Sequence, residues 1–154
     1  ITPLMVKEIR KNGKTIEEFE STVVKSSMCS DATLKGIREC LHDVVWNDTL
    51  GTASVNPWGT RKAQSDLVAI AGKTGTAQIL EKGYSNRRHR MSFVGYFPEE
   101  NPQYSCICVI HGPQWPYDAG MDCGSVVRHI AEKTMAYAGE YVIEDGELVM
   151  VVKE

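Results

Sequence analysis

The chain has 154 residues, 42% of them hydrophobic and 24% charged, with a formal net charge of −3. That is enough apolar material for one domain with its own core, and the mild acidity gives no basis for a nucleic-acid partner or an anionic membrane surface. No stretch approaches the roughly 20 apolar residues of a membrane span. The start at Ile1-Thr2-Pro3-Leu4 has no signal-peptide character, so the sequence is expected to be a segment of a longer polypeptide.

In chain order, Val6-Lys7-Glu8-Ile9 and Thr22-Val23-Val24 read as short extended pieces around a turn at Asn12-Gly13, a strong hairpin signal. Ser30-Asp31-Ala32-Thr33 opens a helix, capped by Ser30 or Asp31, with Leu34, Ile37, Leu41 and Val44 or Val45 at helical spacing. It should end near Val45 or Trp46. Asn47 to Ser65 is rich in breakers and reads as loop. Leu67 to Ala71 begins a buried strand that runs on through Lys73-Thr74-Gly75-Thr76. Tyr84 to Arg88 is a polar turn, and Met91–Phe97 is a second strand. After the short link Pro98-Glu99-Glu100-Asn101-Pro102, Tyr104–Ile110 is a third, antiparallel to the second. Ser125 to Ala138 is a helix lined by Val126, Ile130, Ala131 and Met135, with Gly139 as its C-cap glycine. Tyr141 to Val152 alternates around Glu144-Asp145-Gly146 and suggests a small hairpin or an extra strand. The expected class is α+β: an antiparallel sheet flanked by helices.

The five cysteines, Cys29, Cys40, Cys106, Cys108 and Cys123, are an odd number and form no paired framework. Most of them read as small buried hydrophobes. The densest basic run, Arg87-Arg88-His89-Arg90, fits a strand end or a solvated loop.

The informative segment is Ala71-Gly72-Lys73-Thr74-Gly75-Thr76-Ala77-Gln78. Lys-Thr-Gly alone is weak, because three residues match by chance; the flanking strands, turn and closing helix give it weight. Together with Val44-Val45, Gly51-Thr52-Ala53 and Ser92-Phe93-Val94-Gly95-Tyr96-Phe97-Pro98, this order resembles the penicillin-binding proteins, specifically the class B (monofunctional) transpeptidases of cell-wall synthesis. The resemblance covers the chain to about Tyr137. It implies a partial penicillin-binding/β-lactamase-like fold, with residues 1–140 the C-terminal part of the transpeptidase domain and 141–154 an unmatched tail.

The resemblance also implies roles. Lys73 and Thr76 would be catalytic, and Lys73, Thr74, Gly75 and Thr76 would bind substrate. Lys73 would place a positive charge beside the nucleophile and draw in a substrate carboxylate. Thr74 and Thr76 fall on one face of the strand, where both hydroxyls can bind that carboxylate. Gly75 points the other way and leaves space. The Thr76 backbone N–H would be half of an oxyanion hole.

Two elements of the family pattern are missing. No Ser is followed three residues later by Lys: Thr22-Val23-Val24-Lys25 has the wrong first residue, and Ser125-Val126-Val127-Arg128 ends in an Arg too basic to serve as a base. Ser54-Val55-Asn56 spells Ser-x-Asn, but it lies in a loop shortly before Lys73 rather than far upstream, and reads as a decoy. Gly72-Lys73-Thr74 imitates the end of a phosphate-binding loop, yet Leu67 stands where that motif needs Gly, and strand character continues to Ile79. Cys106, Cys108 and His111 are close in sequence, but His111 falls on the other strand face, so zinc is disfavoured. Asp118 and Asp122 near Gly120 are a weak ion-loop signal.

The expected parent is therefore a serine D,D-transpeptidase that needs no cofactor or metal. It would bind peptidoglycan stem peptides ending in D-Ala-D-Ala and β-lactams, and act on the extracytoplasmic face of the cytoplasmic membrane. There it would be anchored by an N-terminal helix, among cell-division or elongation proteins. The chain alone is expected to be inactive, and to self-associate through an exposed sheet edge or to cover that edge with its tail. A non-catalytic binding module, or a β-lactamase or sensor of the same superfamily, is the alternative.

Overall fold

A computed structural model describes residues 1–79, 88–113, 118–138, 141–144 and 147–150. They fall into two compact units, Ile1–Lys35 and Gly36–Glu154. The first holds a hairpin of β1 (Glu8–Lys11) and β2 (Lys14–Glu18). Asn12 (φ 51°) and Gly13 (φ 77°) both occupy the left-handed region, the two-residue turn whose twist suits a hairpin. So short a turn makes the return strand begin at once, pairing Lys11 with Lys14. This corrects the expected partner, Thr22–Val24: Thr22 instead accepts the Thr2 N–H at 2.8 Å.

Helix α1 (Asp31–Trp46) begins where expected, with the Ser30 hydroxyl accepting the Thr33 N–H at 3.2 Å. Of its apolar stripe only Val45 is fully buried, and Leu34 and Ile37 are exposed. Helical periodicity reports which residues suit cover, not what covers them. Past Trp46 the Asn47 side chain accepts the N–H groups of Thr49 and Leu50 and turns the chain.

The centre of the second unit is an antiparallel sheet in the order β3 (Ala71–Ile79), β4 (Arg88–Phe97), β5 (Tyr104–His111). Strand β3 starts at Ala71 rather than Leu67. The carbonyls just before it are already taken, Ala69 O by the Glu99 N–H and Ile70 O by the Trp46 indole, both at 2.9 Å. Met91 and Phe93 on β4 point to the buried face, joined by Cys106, Cys108 and Ile110 of β5.

That face packs on α2 (Ser125–Tyr137), which continues from a wide π-type turn at Gly120–Gly124. The covered stripe is Cys123, Val127, Ala131 and Met135, at four-residue spacing. Ala131 and Met135 are buried as expected, whereas Val126 and Ile130 are each 41% exposed and Val127 takes the buried place instead. Ala138 closes α2 by donating to Thr134 O, while the expected cap Gly139 and the turn 84–87 lie outside the described residues.

In the tail, β6 (Tyr141–Glu144) and β7 (Glu147–Met150) form a hairpin paired only with itself among the described residues, so it does not extend the sheet at β5. All five cysteines are free. Cys123 is buried, Cys106, Cys108 and Cys29 are half-buried and Cys40 is exposed, so the expected full burial of most of them holds for Cys123 alone.

Candidate active-site cleft

Strand β3 sets the site by register. Thr74 is opposite Phe93 and Thr76 opposite Met91, which puts both threonines on the sheet face that carries the core. Lys73, opposite Val94, and Gly75, opposite Ser92, lie on the other face. A Cβ on Gly75 would sit 2.6 Å from the Ser92 hydroxyl, which would have to rotate away to make room. The exposed Lys73 side chain turns back along its own strand. Its Nζ donates to Thr74 O at 2.7 Å and lies 3.5 Å from Thr74 Oγ1.

Thr74 and Thr76 line an open cleft of about 270 Å³ with Thr52, Lys62, Asp118, Ala119 and Gly120. The Thr52 and Thr74 hydroxyls are hydrogen-bonded at 2.7 Å. Thr52 is held by a ribbon of backbone bonds around buried Ala53: Ala53 N–H to Val44 O, Ala63 N–H to Ala53 O and Lys62 N–H to Ser54 O. Gly120 has no side chain because one would run into the Thr52 carbonyl.

The Lys62 side chain is 11% exposed; its Nζ donates to Asp118 Oδ2 at 2.7 Å and to Thr52 O at 3.2 Å. Asp118 Oδ1 accepts the N–H groups of Gly120 (2.8 Å) and Met121 (3.0 Å), and the Asp118 N–H donates to Asp122 Oδ2. Asp118 thus caps the helical turn that leads into α2. Burial pushes its carboxyl up, but the Lys62 and backbone hydrogen bonds, with the Lys62 charge, outweigh that and hold it below the usual carboxylate value.

Of the residues singled out from sequence, Thr74 and Thr76 lie in the cleft, whereas Lys73 and Gly75 are not among the side chains lining it. Lys62 carried no sequence signal at all. Thr52 was visible only as part of Gly51-Thr52-Ala53. Asp118 and Asp122, considered as an ion loop, are occupied in capping and ion pairing.

The other sequence candidates have structural work to do. Ser54 is buried and donates to Asp48 Oδ1, and the Asn56 side chain accepts the Trp58 and Thr60 N–H groups, so Ser54-Val55-Asn56 is a turn. No helix opens at Lys73, which excludes a phosphate loop there. His111 points away from Cys106 and Cys108, towards Arg90 Nε.

Residues 1–136 match the family model described as the penicillin-binding protein transpeptidase domain. The chain belongs to the penicillin-binding protein transpeptidase family. A peptidoglycan D,D-transpeptidase FtsI homolog of Chlorokybus atmophyticus is 35% identical over 67% of this chain and 14% of its own length. Stage V sporulation protein D of Bacillus subtilis is 30% identical over 87% of this chain and 19% of its own. Among solved structures, the transpeptidase domain of Burkholderia pseudomallei penicillin-binding protein 3 superposes with a TM-score of 0.55 at 28% identity, over 70% of this chain and 30% of that one. The chain therefore spans less than a fifth of the two curated relatives, and its α+β architecture of antiparallel sheet and helices is that of part of the transpeptidase domain.

Proposed function

We propose that this chain forms the Lys-Thr-Gly wall of the active site of a peptidoglycan D,D-transpeptidase, with residues 1–140 belonging to that domain and 141–154 forming a tail. The observation that carries the reading is that Thr74 and Thr76, on one face of β3, both line the cleft, and that β3 is an outer strand of the sheet among the described residues. Two hydroxyl donors on an edge strand suit an acceptor-only group such as a terminal carboxylate. Lys73, one residue away, adds positive charge from the other face.

In the proposed reaction a serine outside residues 1–154 attacks the carbonyl between the last two D-alanines of a donor stem peptide. An acyl ester forms and D-Ala leaves with a proton; an amine of a neighbouring stem then takes the acyl group and frees the serine. The Thr76 N–H would stabilise the oxyanion. β-Lactams would acylate the same serine. The parent would work outside the cytoplasmic membrane, held by a helix that is not in this chain, alongside division or elongation proteins. The isolated chain would self-associate through its open sheet edge.

Labelling with a fluorescent penicillin tests the assignment. The complete polypeptide that contains this chain should take up one denaturation-resistant label, and Lys73→Met in it should slow labelling by about 100-fold or more. Residues 1–154 alone, with no Ser-x-x-Lys, should take up none. An unlabelled complete polypeptide, or a labelled isolated chain, would overturn the reading.

A further inference from the structure

Among the described residues two side chains hydrogen-bond with Thr74 Oγ1, and their chemistry constrains where its single proton can go. Lys73 Nζ, 3.5 Å away, is a donor only. Thr52 Oγ1, 2.7 Å away, can donate or accept. A carboxylate in the cleft is an acceptor only, so binding one requires the Thr74 O–H to point into the cleft. The bond to Thr52 then survives only if Thr52 is its donor.

Thr52 is built to hold that place. Its carbonyl accepts from Lys62 Nζ at 3.2 Å, and Lys62 is itself pinned by Asp118 at 2.7 Å. Gly120 packs directly against the same carbonyl, and the next residue, Ala53, is fully buried and bonded on both sides of its peptide. These contacts fix the Thr52 backbone, and from that fixed position its hydroxyl reaches Thr74 Oγ1 at 2.7 Å.

We propose that Thr52 is a positioning residue for carboxylate recognition: held by Lys62 and the Gly120 turn, it donates to Thr74 Oγ1 and so aims the Thr74 proton at the carboxylate of the bound stem peptide or β-lactam. This rests on the transpeptidase reading and assigns a role to a residue outside the Lys-Thr-Gly strand. Hydrogen bonds in series strengthen one another, so a Thr74 that accepts from Thr52 is also a better donor to the ligand.

The test uses the complete polypeptide that contains this chain and two ligands, benzylpenicillin and its methyl ester, which lacks the negative charge. Thr52→Val keeps the shape and removes the hydroxyl. The expected result is a fall of about tenfold in acylation efficiency with benzylpenicillin, in pre-covalent binding rather than in the acylation step, since one hydrogen bond to a charged group is lost. Acylation by the ester should stay unchanged, and Thr52→Ser should restore the wild-type preference for the acid over the ester. A Thr52→Val protein that treats benzylpenicillin like wild type, or that loses equally on both ligands, overturns the positioning role while leaving the transpeptidase reading intact. If the unaltered polypeptide is acylated by neither ligand, both fall together.

Discussion

The Lys62–Asp118 pair binds two parts of the chain, 56 positions apart in sequence, into one cleft wall. Because the Asp118 carboxyl is held below its ordinary value of about 3.9, it binds protons less readily folded than unfolded. Its contribution to stability is therefore complete above the unfolded value and is lost as pH falls through the folded one. Thermal melts of the chain and of Asp118→Asn across an acid titration should show the largest gap above about pH 5, closing as pH drops below about 3.9. A gap that stays constant down to pH 3 would show that the pair does not titrate as described. Gly120 makes a separate claim. Gly120→Ala puts a methyl against the Thr52 carbonyl and should cost about 1–3 kcal/mol in urea unfolding, as overpacking does. Burial, with the neighbouring Cys108 thiol, pushes Cys123 up to about 11, so at pH 8 iodoacetamide should modify exposed Cys40 well before Cys123.

Strand β4 is the element on which the second unit depends, since it pairs on both sides and offers the core three fully buried side chains, Met91, Phe93 and Phe97. Phe93→Ala should lower the unfolding free energy by about 3–5 kcal/mol, whereas Val94→Thr, one residue on and 47% exposed, should change it by no more than about 0.5 kcal/mol. Denaturant titrations of the two variants decide it, and similar losses would mean that the faces are assigned wrongly. The strands themselves were legible because alternation and turn residues are local signals: Asn12-Gly13 named its hairpin, and the link at residues 98–102 its antiparallel pair. The cleft was legible only along β3. Lys62 and Asp118 are brought together by packing that no window of sequence contains. Val126 and Ile130 lie outside the core for the same reason, since Val126 and Val127 are equally apolar and only packing on the sheet chooses between them. The return strand of the first hairpin is Lys14–Glu18 although Thr22-Val23-Val24 has higher strand propensity, because a two-residue turn dictates its own partner.

At the scale of the whole molecule, the sheet presents a strand, β5, whose outer edge is paired with no other strand among the described residues. Beside that edge lies an apolar patch: Ile107 (65% exposed) faces Val94 across the strand pair, and Val109 (51% exposed) is two residues further along β5. Unpaired backbone groups next to exposed β-branched side chains are the usual template for strand-to-strand association. The tail hairpin does not relieve this, because β6 and β7 satisfy each other. Residues 1–154 should therefore associate with increasing concentration, and sedimentation velocity from about 1 to 200 μM should show the weight-average mass rising, a span that brackets the micromolar affinities of modest interfaces. Ile107→Lys puts a charge in the centre of the patch without touching the buried face of β5. It should shift the association midpoint upward by about tenfold or more, since a charge desolvated at such an edge costs at least the 1.4 kcal/mol that factor represents. A chain that stays monomeric throughout, or an Ile107→Lys variant that associates like its parent, would place the contact elsewhere or remove it, and the open edge would then have to be protected by something other than a second copy.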